Sequence, residues 1–138
     1  MNPISRRYLI YSIFFFMLML SNSCSSDDES AVSREDYLGT YMIAETCGST
    51  ESDYLITITT GSQSDEININ NFYGVGAEIV AQVEEDSLTI DPQMITTFGL
   101  NQTFEGSGAL IGDELRLYYS VETPNVDIDD CTAIGQKQ

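Results

Sequence analysis

The chain of 138 residues carries 22 Asp and Glu residues against five Lys and Arg, a formal charge of −17 at neutral pH. So few cations cannot form the basic patch that holds phosphates, which excludes nucleic acid as a partner. The chain has no histidine, which removes His-based triads, imidazole bases and most transition-metal sites.

Residues 1–23 have the pattern of a secretory signal peptide. Arg6 and Arg7 supply the positive start, Tyr8–Leu20 form an apolar run, and small or polar residues follow before Cys24. The alternative of a membrane-spanning helix fits less well, because crossing the hydrocarbon takes about 20 apolar residues. The sequence SRRYLI lacks the phenylalanine and lysine usual in a twin-arginine motif, so we expect export by the general secretory route.

The junction LSNSC resembles the lipobox of bacterial lipoproteins, in which the cysteine receives a diacylglycerol and becomes the new N-terminus. Leu20 stands four residues before Cys24, whereas the usual pattern has leucine three before. The resemblance implies a lipidated Cys24, and two acyl chains hold a protein stably on a membrane. The alternative is an ordinary signal peptide with an unrelated cysteine.

A short acidic motif, Ser26, Asp27, Asp28 and Glu29, follows that cysteine directly. It resembles the flavobacterial form of the signal that sends Bacteroidota lipoproteins to the outer face of the outer membrane. The alternative is a solvated acidic linker over residues 24–36. We therefore expect a lipid-anchored protein at the outer membrane, facing outside the cell.

Residues 37–138 have the length of one domain. No window keeps the helical period, whereas apolar residues alternate with period two. The predicted strands are 37–47, 53–61, 66–72, 77–86, 87–90, 102–111, 114–121 and 130–137, with the fifth ending at Asp91-Pro92. Gly112-Asp113 predicts a type II′ hairpin turn, and the inward-facing Gly106 and Gly108 indicate either sharp coiling of the sheet or close backbone approach.

Eight short strands with short connections predict an all-β, antiparallel up-and-down meander that closes into a small barrel, with a β-sandwich as the alternative. Cys47 ends the first strand and Cys131 begins the last, so the meander brings both to one rim. In an exported protein, where disulfides persist, we expect them to pair. Such a bond would fasten the two edges of the sheet together.

The segment LGTYMI is similar to the Gly-x-Trp start of lipocalin-type barrels, with Tyr41 in the place of tryptophan. A cysteine closing the first strand and CTA opening the last resemble small lipocalin-like lipoproteins of Bacteroidota. The resemblance implies a non-catalytic, lipocalin-like surface module.

Little in the sequence indicates catalysis. With Cys24 lipidated and the other cysteines paired, no thiol nucleophile remains. Adjacent acids such as Glu84-Glu85 are expected by chance in so acidic a chain, and acid/base catalysis needs a carboxylate pair facing a cleft. The segment VDIDDC (126–131) lacks the glycine and distal glutamate of an EF-hand, which favours a solvated loop over a Ca²⁺ site. We predict no enzyme activity, no cofactor and no metal site.

Two other features have both a functional and a packing interpretation. Asp86-Ser87-Leu88 resembles the O-glycosylation site of Bacteroidota proteins, with Ser87 as the acceptor, although so short a motif also occurs by chance. Six tyrosines follow the signal segment, and they fit either cross-strand packing or a stacking platform for a sugar or an apolar ligand; they are Tyr37, Tyr41, Tyr54, Tyr73, Tyr118 and Tyr119.

Two functions follow from these observations. The first is a surface-anchored module that binds a small apolar ligand inside the barrel or a glycan on its tyrosine face. The second is a structural or accessory subunit that docks a partner protein of an envelope assembly. An apolar ligand can bind inside the barrel only if the inward side chains leave a cavity. If they fill the interior, the barrel has a solid core. The side chains that decide this are Phe104, Leu115, Leu117, Ile79 and Val83.

Overall fold

The computed structural model describes residues 31–138. A helical turn precedes eight strands: α1 (Arg34–Tyr37), β1 (Gly39–Cys47), β2 (Thr50–Thr60), β3 (Glu66–Phe72), β4 (Ala77–Glu84), β5 (Ser87–Thr97), β6 (Leu100–Ile111), β7 (Glu114–Glu122) and β8 (Asp129–Lys137). The predicted signal peptide, Cys24 and the acidic motif Ser26-Asp27-Asp28-Glu29 lie outside the described residues. Within residues 31–138, no helix is long and apolar enough to cross a bilayer.

The sheet closes on itself. Each strand pairs antiparallel with the next, and β1 also pairs antiparallel with β8, from Tyr41 opposite Lys137 to Cys47 opposite Cys131. The all-β meander predicted from the sequence is therefore confirmed as a closed barrel, and the sandwich alternative is wrong. The connections β1–β2, β3–β4, β5–β6 and β7–β8 share one end of the barrel, the upper end, and α1 and the other connections share the lower end.

The period-two alternation of the sequence decides which side chains fill the barrel. In β1 the inward residues are Tyr41, Ile43, Glu45 and Cys47, and in β7 they are Leu115, Leu117, Tyr119 and Val121. The five residues predicted to line the interior are all buried in one apolar cluster. An eight-stranded barrel is just wide enough for side chains to fill it, and here Phe72 packs edge-on against Phe104 with ring centroids 5.6 Å apart.

Gly106 and Gly108 allow two strands to approach closely. A Cβ at Gly106 would meet the Tyr118 carbonyl oxygen of β7, and one at Gly108 would meet the Arg116 carbonyl oxygen. Both sit on the inward side of β6, as the sequence predicted. The hairpin turn is also as expected, because Gly112 has φ +61° while Asp113 does not have positive φ, the combination that a type II′ turn requires.

β5 is longer than the sequence predicted. The predicted end at Asp91-Pro92 is wrong, because the chain bulges between Ile90 and Gln93 and then resumes its pairing with β6 as far as Thr97. Proline is tolerated in a bulge because the bulged residue does not have to donate a backbone hydrogen bond to the neighbouring strand. The Gln93 side chain fills the gap toward β4: its Nε2 donates to Val80 O at 2.7 Å, and Val80 N donates to its Oε1 at 2.9 Å.

The N-terminal segment closes the lower end. Tyr37 of α1 is completely buried, and its carbonyl oxygen accepts a hydrogen bond of 2.9 Å from the Tyr41 hydroxyl. Lys137 Nζ donates to Asp36 O at 2.7 Å, and Val32 packs against the core. The predicted boundary between linker and barrel at residue 37 thus falls inside α1, which is too short to produce a helical period in the sequence.

Candidate functional site

A disulfide joins the first and last strands at the upper end. Cys47 and Cys131 are bonded, with Cα atoms 4.2 Å apart, as the sequence predicted. Gly48 N donates to Asp130 O in the adjacent pair, so the cysteines occupy the next, non-hydrogen-bonded position, where antiparallel Cα atoms come closest. The bond fixes the rim on which the polar groups described next are arranged.

Glu45 is a carboxylate inside the barrel, only 5% exposed. It lies one inward position before Cys47 in β1. The hydroxyls of Tyr54 and Tyr119 both donate to its Oε2, and Ser52 Oγ donates to its Oε1 at 3.4 Å. Three different strands, β1, β2 and β7, therefore contribute to one hydrogen-bonded group, which we call the Glu45 cluster: Glu45, Ser52, Tyr54 and Tyr119.

The tyrosines of this cluster stay protonated. Burial raises the pKa of Tyr54, and the bond to Glu45 raises it further, because a phenolate would face a carboxylate. Burial is also the main cause that raises the pKa of Tyr119, with Tyr54 and Glu45 adding to it. Both phenols are therefore hydrogen-bond donors throughout the physiological pH range.

The Glu45 cluster opens into a recess at the upper end of the barrel. This recess has a volume of about 360 Å³ and is lined by Glu45, Cys47, Gly48, Ser49, Thr50, Ser52, Tyr73 and Asp129. Its lining combines two carboxylates, several hydroxyl groups and one aromatic ring. Such a mixture suits a small, hydroxyl-rich ligand better than an apolar one.

The turn between β3 and β4 places Tyr73 at this recess. Asn71 anchors the turn, since its Nδ2 donates to Leu55 O at 2.7 Å and its Oδ1 accepts from Gly76 N at 2.8 Å. Tyr73 has φ +59°, an uncommon conformation for a bulky residue. Its ring packs edge-on against Phe104, with centroids 5.8 Å apart, and burial, followed by the charges of Glu45 and Asp129, raises its pKa.

A second, shallower depression of about 600 Å³ lies on the outside of the sheet, over β5 to β8. The β5 bulge at Pro92 and the exposed ring of Tyr118 border it. Tyr119, the next residue, points inward and is buried. Tyr118 and Tyr119 therefore occupy opposite faces of β7.

The positive charges of the described residues all lie at the lower end. Arg34 pairs with Glu35 at 2.8 Å, Arg116 pairs with Glu114 at 2.6 Å, and Lys137 donates to a carbonyl oxygen of α1. No Lys or Arg lines the recess. The negative charge at the upper end is therefore not compensated by any Lys or Arg within residues 31–138.

Other residues singled out by the sequence are dispersed. Ser87 is exposed at the lower end, at the start of β5, and its Oγ donates to Glu84 O at 2.9 Å. Asp127 and Asp130 are exposed beside the upper rim. Within residues 31–138, no group of three or more carboxylates or cysteines is placed to hold a metal ion.

Glu45 is not among the residues that the sequence pattern singles out as functional. The signal was present, because Glu45 occupies an inward position between Ile43 and Cys47 in an alternating strand. An acidic residue on the inward face of a strand breaks the apolar pattern, and buried polar groups of that kind are uncommon without a reason. Nothing in the local sequence, however, indicated that Tyr54 and Tyr119 would meet it.

The fold defines the chain as a closed, eight-stranded antiparallel β-barrel. No protein-family model matches it, and a search of curated proteins finds no match. It is similar to the crystal structure of a "putative outer membrane protein" from Bacteroides fragilis, with a TM-score of 0.53 and 18% identity over 76% of this chain. At that identity the likeness concerns the fold. The chain covers 52% of that protein, about half its length.

Proposed function

We propose that this protein is a lipid-anchored module of the outer membrane, with a lipocalin-like barrel that binds a glycan at the upper recess without transforming it. The observation that carries the proposal is the recess itself. A buried carboxylate, the rim carboxylate of Asp129 and several hydroxyls line it together with the Tyr73 ring. Carboxylates and hydroxyls accept hydrogen bonds from sugar hydroxyls, and an aromatic ring provides a face for a sugar to pack on.

The filled interior favours a glycan over an apolar ligand. The ring of Phe72 packs against both Phe104 and Tyr119 inside the barrel, within one cluster of buried apolar residues. Close packing of this kind offers no room for a guest without moving core side chains. The recess, in contrast, already provides space for a ligand and is lined by carboxylate and hydroxyl oxygens that can accept hydrogen bonds from it.

The direction of the chain supports the anchor. The described residues begin at the lower end, where Val32 and α1 pack on the barrel. Cys24, the residue proposed to carry the lipid, stands only seven positions before Ala31 in the sequence. The description of the Bacteroides structure of similar fold as a "putative outer membrane protein" supports the outer-membrane location in this proposal.

The absence of turnover is part of the proposal. Although Glu45 and Asp129 line one recess, Oε2 of Glu45 already accepts two phenol hydrogen bonds. A general acid or base must exchange protons with its substrate, and these phenols compete for that oxygen. Incubation of a bound saccharide with the protein, followed by mass spectrometry, should return the saccharide unchanged; a cleaved product would overturn the proposal.

Binding is tested directly with the full-length protein purified in mild detergent. Calorimetric titration with a panel of mono- and disaccharides should identify at least one ligand. Tyr73→Ala should weaken its binding tenfold or more, whereas Tyr118→Ala, which removes an exposed ring from the outer depression, should leave it unchanged. The opposite pattern would move the site to the outer depression, and a panel without any ligand would overturn the glycan function.

A second function, docking a partner protein of the envelope, is favored by a different observation. The upper loops expose apolar side chains: Phe98 is 87% exposed in the β5–β6 connection, where Leu100 is also exposed, and Val126 and Ile128 are exposed in the β7–β8 connection. Apolar tips within an acidic surface fit a partner with a basic, apolar face. A photo-crosslinker at position 98 in intact cells should then capture one dominant protein, whereas one at the exposed Leu55 on the barrel wall should not.

A further inference from the structure

Glu45 has a hydrogen-bonding position left over. An ionised carboxylate offers about four acceptor sites. Two are used by the phenols of Tyr54 and Tyr119 at Oε2, and one by a long contact from Ser52 to Oε1. The remaining acceptor belongs to a side chain that lines the recess, so a ligand there can reach it.

Glu45 also has no counter-ion among the described residues. Carboxylates that are this deeply buried are normally paired with a cation, because leaving water costs an isolated charge far more than a neutral group. The ion pairs of the described chain join Arg34 to Glu35 and Arg116 to Glu114, both at the other end of the barrel. Asp129, on the recess rim, adds a second negative charge. A ligand that brings its own positive charge would supply the missing partner.

Tyr73 offers a second contact for a cation. Its ring lines the same recess as Glu45, and its turn is held by the two hydrogen bonds of Asn71. An ammonium group is attracted to the face of a tyrosine ring when it lies within about 6 Å of the centroid. A carboxylate and an aromatic ring at one recess therefore distinguish an amine from a neutral hydroxyl.

We propose that the recess selects amino sugars, with the protonated amine held between the Glu45 carboxylate and the Tyr73 ring. The sugar hydroxyls then contact the rim residues Ser49, Thr50 and Asp129. This inference rests on the proposed glycan site and adds the charge of the ligand to it. Acidic and phosphorylated sugars are excluded by the same field.

Three ligands with the same ring test the selection in the wild-type, full-length protein: glucosamine, N-acetylglucosamine and glucose. At pH 6 glucosamine should bind at least tenfold more tightly than the other two. The preference should vanish as the pH rises and the amine loses its proton. Equal binding of the three sugars would overturn the inference and leave the glycan function standing. If none of the three binds, the inference fails, and the wider saccharide panel decides the glycan function separately.

The variant Glu45→Gln tests whether Glu45 is responsible for the preference for amino sugars. Glutamine keeps the size of the side chain and an acceptor oxygen but removes the charge, so the affinity ratio of glucosamine to N-acetylglucosamine should fall toward one. Glu51→Gln is the matched control, because it removes the same charge from an exposed outward position of β2 and should preserve the ratio. An equal loss in both variants would overturn the role of Glu45 in favor of diffuse charge. If Glu45→Gln does not fold, the pH dependence of the wild-type preference decides.

Discussion

At the lower end of the barrel, α1 and Val32 cover the opening. The Lys and Arg residues within 31–138 are all hydrogen-bonded or ion-paired there. At the upper end, a carboxylate sits buried among phenols, without a cation, beside an open recess. The lower end buries apolar groups, and its buried carboxylate, Glu66, accepts four hydrogen bonds from Ser62 and Gln63, two of them from backbone N–H groups. The upper end departs from that pattern, and departures of this kind concentrate at functional sites. The comparison therefore assigns stability to one end and binding to the other.

The largest effect should come from the disulfide. Replacing Cys47 and Cys131 by alanine releases a link between residues 84 positions apart, which the chain-entropy model values at about 4–5 kcal/mol. The urea midpoint of the full-length double variant should fall accordingly. Hydrogen exchange should increase most in β1 and β8 near the upper rim. An unchanged midpoint would mean that the pairing of β1 with β8 alone closes the barrel.

Tyr37→Ala tests the lower end. The residue is completely buried, and truncating a large buried ring costs about 3–5 kcal/mol. We expect a lower free energy of unfolding with no change in sugar affinity, since the recess is at the other end. Tyr118→Ala is the control, because an exposed ring should change stability by less than about 0.5 kcal/mol. A loss of sugar binding in folded Tyr37→Ala would contradict the separation of the two ends.

The Glu45 cluster should show that the upper end is not optimised for stability. Glu45→Ala leaves the buried hydroxyls of Tyr54 and Tyr119 without their acceptor, which should cost about 2–3 kcal/mol. The triple variant Glu45→Leu, Tyr54→Phe, Tyr119→Phe removes both sides of these bonds and should recover wild-type stability or exceed it. Thermal unfolding compares the two. A triple variant that is less stable than Glu45→Ala would make the cluster a structural one.

The smallest effect concerns Tyr41 and depends on pH. Tyr41→Phe removes the hydrogen bond to Tyr37 O, a loss of about 1 kcal/mol at pH 7. Burial raises the pKa of Tyr41 from 10 to about 12. The unfolded chain therefore releases this proton first, and wild-type stability falls between pH 10 and pH 12. The variant lacks that loss, which about two pKa units make larger than about 1 kcal/mol, so the denaturant midpoints of the two proteins should converge and then change order as the pH rises through this window. A difference that stays constant up to pH 12 would contradict the raised pKa.

Much of the architecture could be predicted from local patterns. The alternation in β1 and β7 identified the inward residues, and the placement of Cys47 and Cys131 at strand ends predicted both the disulfide and the closure. Two predictions of local structure failed for local reasons. Pro92 normally ends a strand, but a bulge and the Gln93 side chain carried β5 past it. α1 is a single turn, which leaves no periodic signal.

The sequence by itself determined the number of strands, their buried faces, the order of the meander and the partner of each barrel cysteine, because a period of two and the positions of turn residues are local properties of the chain. Only the tertiary structure decided the site. Glu45, Tyr54 and Tyr119 come from β1, β2 and β7, and they meet because closure of the sheet brings β7 and β8 around to β1. Whether an inward acid is buried, which phenols reach it and whether a recess opens beside it depend on the width and register of the closed barrel.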